Sequence, residues 1–267
     1  MNDAEFEAAR VALARARREA RALAAWPTGQ PPSDLAGAYR LQAAVVRELG
    51  PIGGWKVAAV TPAQRASLAV DRPIGAAIPA ARIHDASSKP ARLSSADFIA
   101  PKLECEIAFE LGAALPPRPG RTYSREEVRT AIRALRIAVE IVDSRLPRGL
   151  GALAELADGF NNGALVAGTA QADWDWVDFA RLEIVLVRER GGQHDEVARG
   201  SAKAILDGDP FDTVVMLANA PPDPTRGLAA GDIVTTGSCT GAPPLPGPGA
   251  YRAEFARLGS VEFVFVA

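Results

Sequence analysis

The run from Lys102 to Leu111 alternates without a break. Leu103, Cys105, Ile107, Phe109 and Leu111 fall on one parity, and Glu104, Glu106, Ala108 and Glu110 on the other. Period two is the mark of a strand, and it puts Glu104 and Glu106 on one face, about 7 Å apart. Two carboxylates that close repel unless a proton or a cation lies between them. A third carboxylate, Glu140, is the only charge in the apolar run Ile137–Val142, whose backbone is expected to be buried. A buried carboxylate needs a partner or titrates to neutral. Three carboxylates without histidine are the ligand set of a hard divalent cation, Mg²⁺ or Mn²⁺, with positions left open for substrate. Simpler readings also fit. Glu104 and Glu106 suit the solvated face of an antiparallel strand, and Glu140 suits an ion pair with Arg136 or Arg145. Lys56, the only charge in Gly53–Val60, is either a snorkelling surface lysine or a functional cation.

Several other chemistries find no residues to carry them. The two histidines, His84 and His194, have no Ser, Cys or carboxylate arrangement around them, which argues against histidine-bound zinc and serine–histidine hydrolysis. No G-x-G-x-x-G or P-loop pattern is present, so nucleotide binding has no support. Of the two cysteines, Cys105 and Cys239, Cys105 lies on the apolar parity of its strand and reads as a small buried hydrophobe; no disulfide framework is implied. A chain of 267 residues with net charge −2 suits one large domain or a domain with an appendage. It has no basic surplus of the kind nucleic acid or an anionic membrane calls for. No apolar run approaches the ~20 residues of a membrane span. The N-terminus lacks a basic stretch followed by an apolar one, so a cytoplasmic protein without a signal peptide is expected.

The elements that must position these groups follow from pattern. A long helix is expected over 3–25, with Asp3 as cap and Pro27 as stop, packing on another helix or a neighbouring subunit. A second helix, capped by Ser33 and ended by Gly50, carries Leu35, Tyr39, Leu41, Val45, Val46 and Leu49. Residues 53–60 read as a short strand bearing Lys56, and Thr61-Pro62 opens a helix. Residues 70–75 read as a turn, and 76–100 as short strands and loops. Ser124 with Glu127 forms a capping box for a helix to about Leu135. A strand at 137–142 follows, at a spacing that suits a crossover and can bring Glu140 beside Glu104 and Glu106. Ala157–Gly163 is a loop rich in hydrogen-bonding groups, among them Asp158, Asn161 and Asn162. Residues 182–190 and 196–205 form a hairpin about Gly191-Gly192. A helix spans 210–219, and a strand runs over 233–241, where Thr236, Gly237 and their neighbours suit binding of a small anion. The last strand is 260–266. Many strands and few helices argue for a sheet-rich core rather than a doubly wound fold.

At this level of detail the chain resembles the 2-keto-4-pentenoate hydratase and 4-oxalocrotonate decarboxylase group of the fumarylacetoacetate hydrolase superfamily. The shared pieces are Gly54-Trp55-Lys56, Val70-Asp71-Arg72-Pro73, Glu104-Cys105-Glu106-Ile107-Ala108-Phe109, Glu140-Ile141-Val142-Asp143-Ser144-Arg145, Ala157-Asp158, Asn162-Gly163, Leu217-Ala218-Asn219 and Ala230 to Gly237. The resemblance implies an α+β fold, a mixed β-sandwich roll with an N-terminal helical appendage, divided into a helical region with the first strand at 1–75 and a sheet-rich catalytic domain at 76–267. It implies Glu104, Glu106 and Glu140 as ligands of Mg²⁺ or Mn²⁺ and Lys56 as the acid/base. It also implies Asp158, Asn161, Asn162, Thr236 and Gly237 around a short 2-oxo or 2-hydroxydienoic acid. The implied activity is a lyase, a hydratase of the 2-keto-4-pentenoate type working through a metal-stabilised enolate, with Lys56 moving protons and its pKa lowered by burial and the metal. The alternative is a decarboxylase of a 2-oxo diacid, and a further one is a non-catalytic subunit. A homo-oligomer is implied, with an aldolase as a possible partner. Two positions depart from the hydratase pattern: Ile74 stands where hydratases carry an Asp, and Asn161 where they carry a Ser.

Overall fold

The computed structural model describes residues 1–59 and 61–267, and the side chains of all of these except Gln64, Ser67, Leu68 and Asp207. Val60, expected in the first strand, lies outside the described residues.

Helix α1, Asp3–Arg18, opens one residue earlier than expected: Asn2 caps it, and its side chain and that of Glu5 form a reciprocal capping box. It also ends sooner. Ala20 takes a left-handed conformation, and the chain turns inward so that Leu23 and Trp26 join a cluster with Leu146 and Leu150. Burial of these side chains outweighs the helical preference of the Ala/Arg run. Asp34, not Ser33, caps α2 (Leu35–Leu49) by accepting from the Gly37 amide, and Gly50 ends it at φ 116°. Strand β1, Ile52–Ala58, carries Lys56, and α3, Pro62–Leu68, follows. Strands β2 (Ile74–Pro79), β3 (Ile83–Asp85) and β4 (Ala91–Ser94) fill the stretch read as short strands and loops.

Strand β5 is Lys102–Leu111. The capping box at Ser124 and Glu127 is present, but α4 covers only Arg125–Ala131. The expected last turn, Ile132 to Leu135, instead begins β6, Ile132–Val142, where Leu135 lies opposite Phe109. Strand pairing overrides the helical period there. Helix α5, Ala152–Ala157, precedes β7, Asn162–Gln171, so Asn162 belongs to a strand rather than to the loop. The hairpin is β8 (Glu183–Arg190) with β9 (Gln193–Ser201). Helix α6, Phe211–Asn219, and strands β10 (Ile233–Ser238), β11 (Gly249–Phe255) and β12 (Gly259–Val266) complete the chain.

Among the described residues the strands form two sheets, one in the order β2-β1-β10-β5-β6-β7-β3 and one in the order β4-β12-β11-β8-β9. Both are mixed: β1 runs parallel to β10 and β4 to β12, while β5, β6 and β7 are antiparallel. The β5–β6 connection is therefore not a parallel crossover. Strand β2 extends across residue 75, and Lys56 sits in the same sheet as the three glutamates. The apolar parity of β5 faces the second sheet in one large core that includes Tyr251, Phe255 and Phe263. Helices α1, α2 and α5 share a separate apolar cluster built from Leu13, Leu41, Val45 and Ala157. No described helix is long and apolar enough to cross a membrane.

Phe109 is fully buried, with its ring 5.0 Å from Trp174 and 5.3 Å from Phe211. Phe109→Ala is expected to lower unfolding stability by about 3–5 kcal/mol. Urea unfolding checks this, and a loss under 1 kcal/mol would mean the core closes over the gap.

Candidate metal centre and its cavity

The β5–β6 ladder places Glu104 directly opposite Glu140, and Glu106 opposite Ala138. Glu104 and Glu106 share a face by alternation, and the small Ala138 leaves that face open beside them. Carboxylate oxygens from all three lie within 4.8 Å of one another. The solvated-face reading fails: Glu106 and Glu140 are fully buried and Glu104 is half-buried. Neither arginine considered for Glu140 reaches it. Arg136 pairs with Glu110, as does Arg133, and Arg145 pairs with Asp158. Its partner is Lys56, whose Nζ lies 3.0 Å from Glu140 Oε1 and whose side chain is buried.

Two further donors hold this group. Asn162 Nδ2 donates to Glu140 Oε1 at 3.1 Å. The Gly237 amide donates to Glu106 Oε2 at 2.8 Å, where β10 shifts register between Thr235 and Ser238. The Thr/Gly run thus offers its amide to one of the chain's own carboxylates. Glu106 Oε1 and Glu140 Oε2 are buried and accept from nothing among the described residues. Buried acceptors without donors are rare, and here they converge. Three carboxylates and one ammonium leave a formal charge of −2, so a divalent cation fits the site in both charge and donor type.

The proton affinities follow from this crowding. Burial pushes the Glu104 carboxyl up to about 7, with Lys56 pulling the other way and Glu140 adding to the rise. Glu106 is held well above the usual carboxylate range by burial, then by the charges of Glu140 and Glu104. For Lys56, burial alone lowers the pKa, but Glu140, Glu104 and Glu106 together outweigh it, so the lysine is raised rather than lowered in the metal-free protein.

A cavity of about 500 Å³ opens over these groups, lined by Lys56, Glu104, Glu155, Phe160, Asn161 and Gly237 among others. Phe160 and Asn161 both take left-handed conformations, at φ 51° and 61°. For residues other than glycine such backbone costs roughly 1–3 kcal/mol each. The Asn161 carbonyl accepts from the Asp143 amide at 2.7 Å, which helps fix the bend.

The remaining expected substrate contacts lie elsewhere. Asp158 is fully buried and accepts from Arg145 Nε at 2.9 Å, so its charge is matched inside the protein. Thr236 Oγ1 donates to the Ile107 carbonyl. Asn162 turns its amide to Glu140. Glu155 and Phe160 line the cavity without having been singled out; a single Glu in Ala152–Ala157 gives no signal of its orientation. Ile74 is buried in an apolar cluster that includes Leu156 and Phe160, so no proton-transfer group stands at that position.

No family model matches the chain. It is 32% identical over 170 residues to the TodF product hydratase of Pseudomonas putida F1, covering 63% of this chain and 60% of that protein. It is 27% identical over 213 residues to a 2-keto-4-pentenoate hydratase of Burkholderia vietnamiensis, covering 79% and 77%. The match thus spans less than two thirds of the first relative's length. The structure superposes on 4-oxalocrotonate decarboxylase from Pseudomonas putida G7, complexed with magnesium and adipate, with TM-score 0.83, 24% identity and coverage of 99% and 98%. A fumarylacetoacetate hydrolase family protein from Yersinia pestis aligns with TM-score 0.56 at 17% identity, covering 81% and 94%. The chain therefore has the fumarylacetoacetate hydrolase fold, in its α+β form with N-terminal helices. Within that fold its similarity is to the 2-keto-4-pentenoate hydratase and 4-oxalocrotonate decarboxylase group that the motifs indicated.

Glu106→Gln tests the electrostatics directly. A glutamine keeps an acceptor for the Gly237 amide and removes a buried like charge. With chelator present the variant is expected to be more stable than the unsubstituted protein, by roughly 1–3 kcal/mol. In saturating Mg²⁺ or Mn²⁺ the order should reverse, because an anionic ligand is gone. Thermal unfolding in both conditions gives the answer; the same order in both would remove Glu106 from the cation site.

Proposed function

We propose that the protein is a divalent-metal-dependent lyase acting on a short 2-hydroxydienoate or 2-oxo acid, most simply by hydration of the 2-keto-4-pentenoate type, with Mg²⁺ or Mn²⁺ as its metal. The observation that carries this is the convergence of Glu104, Glu106 and Glu140, with unpartnered oxygens, beside buried Lys56 at the floor of a cavity. The similarity to hydratases supports it. A decarboxylase remains the second reading, favoured by the apolar Ile74 and by the likeness to 4-oxalocrotonate decarboxylase in fold.

Glu104, Glu106 and Glu140 would hold the cation, and Asn162 and the Gly237 amide would fix the carboxylates of Glu140 and Glu106 for it. Bound there, the metal would supply positive charge for the carboxylate and 2-oxygen of a 2-oxo acid. Lys56 is paired with Glu140 at 3.0 Å, an arrangement that suits an ammonium, so it would begin as the acid: its Nζ would give a proton to a substrate carbon. The amine that results is flanked by carboxylates that favour taking a proton back. Asn161 presents a side-chain oxygen without a partner, placed to orient a substrate hydroxyl or an attacking water. Phe160 and Val142 give the cavity apolar wall that keeps bulk water from the reacting carbons.

The protein with Mg²⁺ or Mn²⁺ is expected to consume a 2-hydroxydienoate, followed by loss of dienol absorbance, and chelator should stop it. Release of CO₂ from a 2-oxo diacid would shift the reading to decarboxylation. Lys56→Met should lose about 10²–10⁴-fold in kcat while keeping the metal-induced rise in Tm. Unchanged kcat in that variant, or no turnover of any dienoate or 2-oxo diacid, would defeat the reading.

A further inference from the structure

We propose that Glu155 makes this cavity selective for 2-oxo acids with a single carboxylate and an apolar tail, excluding those with a second carboxylate at the far end. The proposal rests on the reading of the site given above. Of the described residues lining the cavity, Lys56 is the only cation, and it is engaged 3.0 Å from Glu140. Apart from Glu104, beside the cation site, Glu155 is the only anion there. The carboxylate at the substrate's head is served by the metal centre. A carboxylate at its tail would need a cation or several donors, since an unpaired charge in a confined site is costly. It meets Glu155 instead.

The backbone of Glu155 is held in place. It sits in α5, whose Ala154, Leu156 and Ala157 are fully buried. Its backbone amide is bonded to the Gly151 carbonyl at 3.2 Å. It makes no ion pair among the described residues; burial holds its carboxyl above the usual range, while a hydrogen bond from its neighbour Asn161 and the more distant charge of Lys56 favour the carboxylate. Like charges sharing a partly dry cavity repel far more than they do in water. Val142, Phe160, Ala204 and Ala242 give the wall apolar surface, and its polar side chains, Thr61, Ser238 and Asn161, carry no positive charge. The same cavity that tolerates a methyl or ethyl terminus therefore rejects a carboxylate of equal length, which is specificity by an unfavourable contact.

The test compares 2-oxohexanoate with 2-oxoadipate, which share the head and the chain length and differ at the tail, by isothermal titration into the Mn²⁺-loaded protein. The unsubstituted protein is expected to bind 2-oxohexanoate at least about tenfold more tightly. Glu155→Gln should improve 2-oxoadipate by about tenfold while leaving 2-oxohexanoate within about twofold, which also shows that the variant is folded. Equal binding of the two acids by the unsubstituted protein, or a ratio unmoved by Glu155→Gln, would overturn the role of Glu155 while leaving the metal-centre reading in place. If neither acid binds the Mn²⁺-loaded protein, the site reading fails and this proposal with it.

Discussion

Three carboxylates held within 4.8 Å of each other and facing one buried ammonium are the constraint on which this structure turns. The mutual repulsion of the three carboxylates opposes that arrangement: burial first, and then the neighbouring carboxylates, raise the proton affinities of Glu104 and Glu106, with Lys56 only partly offsetting them. The backbone ladder imposes it. Glu104 and Glu140 are direct partners across β5 and β6, and sliding the register by one residue would turn every side chain of a strand to the other face. The register is in turn fixed by apolar burial: Leu103, Cys105, Ile107 and Phe109 must face the second sheet. Hydrophobic burial on one face thus holds charge together on the other, the usual way a functional site is kept in a geometry that would not form alone.

The helical N-terminus bears on the site through buried ion pairs. Arg145, in the turn after β6, donates to the Asp158 carboxylate, to the Asp158 carbonyl and to the Asn162 carbonyl. Arg17 from α1 donates to the Asp158 carbonyl at 2.6 Å. Gln42 from α2 donates to the Leu156 carbonyl and accepts from the Ala77 amide. These bonds clamp the segment between α5 and β7 from both ends. Its left-handed residues present Phe160 and Asn161 to the cavity, and Asn162 reaches Glu140. Helices that look like an appendage in the sequence therefore shape the wall of the cavity.

Much of the site was legible because its residues broke local rules. Glu140 in an apolar run and Lys56 in another are charges where burial forbids unpaired ones, and the structure pairs them with each other. The alternation of 103–111 located β5 closely. What the pattern could not supply was direction and partner. The spacing suited a parallel crossover where the strands are antiparallel, and either arrangement would have brought Glu140 near. Asp158 looks like a ligand-binding carboxylate in a polar loop, yet Arg145, thirteen positions earlier, takes its charge. Ile132 and Leu135 satisfy a helical period as well as a strand, and only pairing with Leu111 and Phe109 decides between them. Glu155 was invisible because it lines, together with Lys56, a cavity that exists only after folding.

A metal centre of this kind does not choose its reaction. Positive charge at the 2-oxygen of a 2-oxo acid favours proton transfer, water addition and loss of CO₂ alike, since each builds negative charge at the same oxygen. Choice must come from groups the metal does not touch: where a proton can be delivered, where water can stand, and what the far end of the substrate meets. In this chain the side chains that line the cavity beside the glutamates include Lys56, Asn161, Phe160 and Glu155. Ile74 is buried in the apolar cluster that backs Phe160, while the side-chain oxygen of Asn161 has no partner among the described residues. One set of three glutamates is thus compatible with more than one reaction, and the walls of the cavity are where a choice among them can be made.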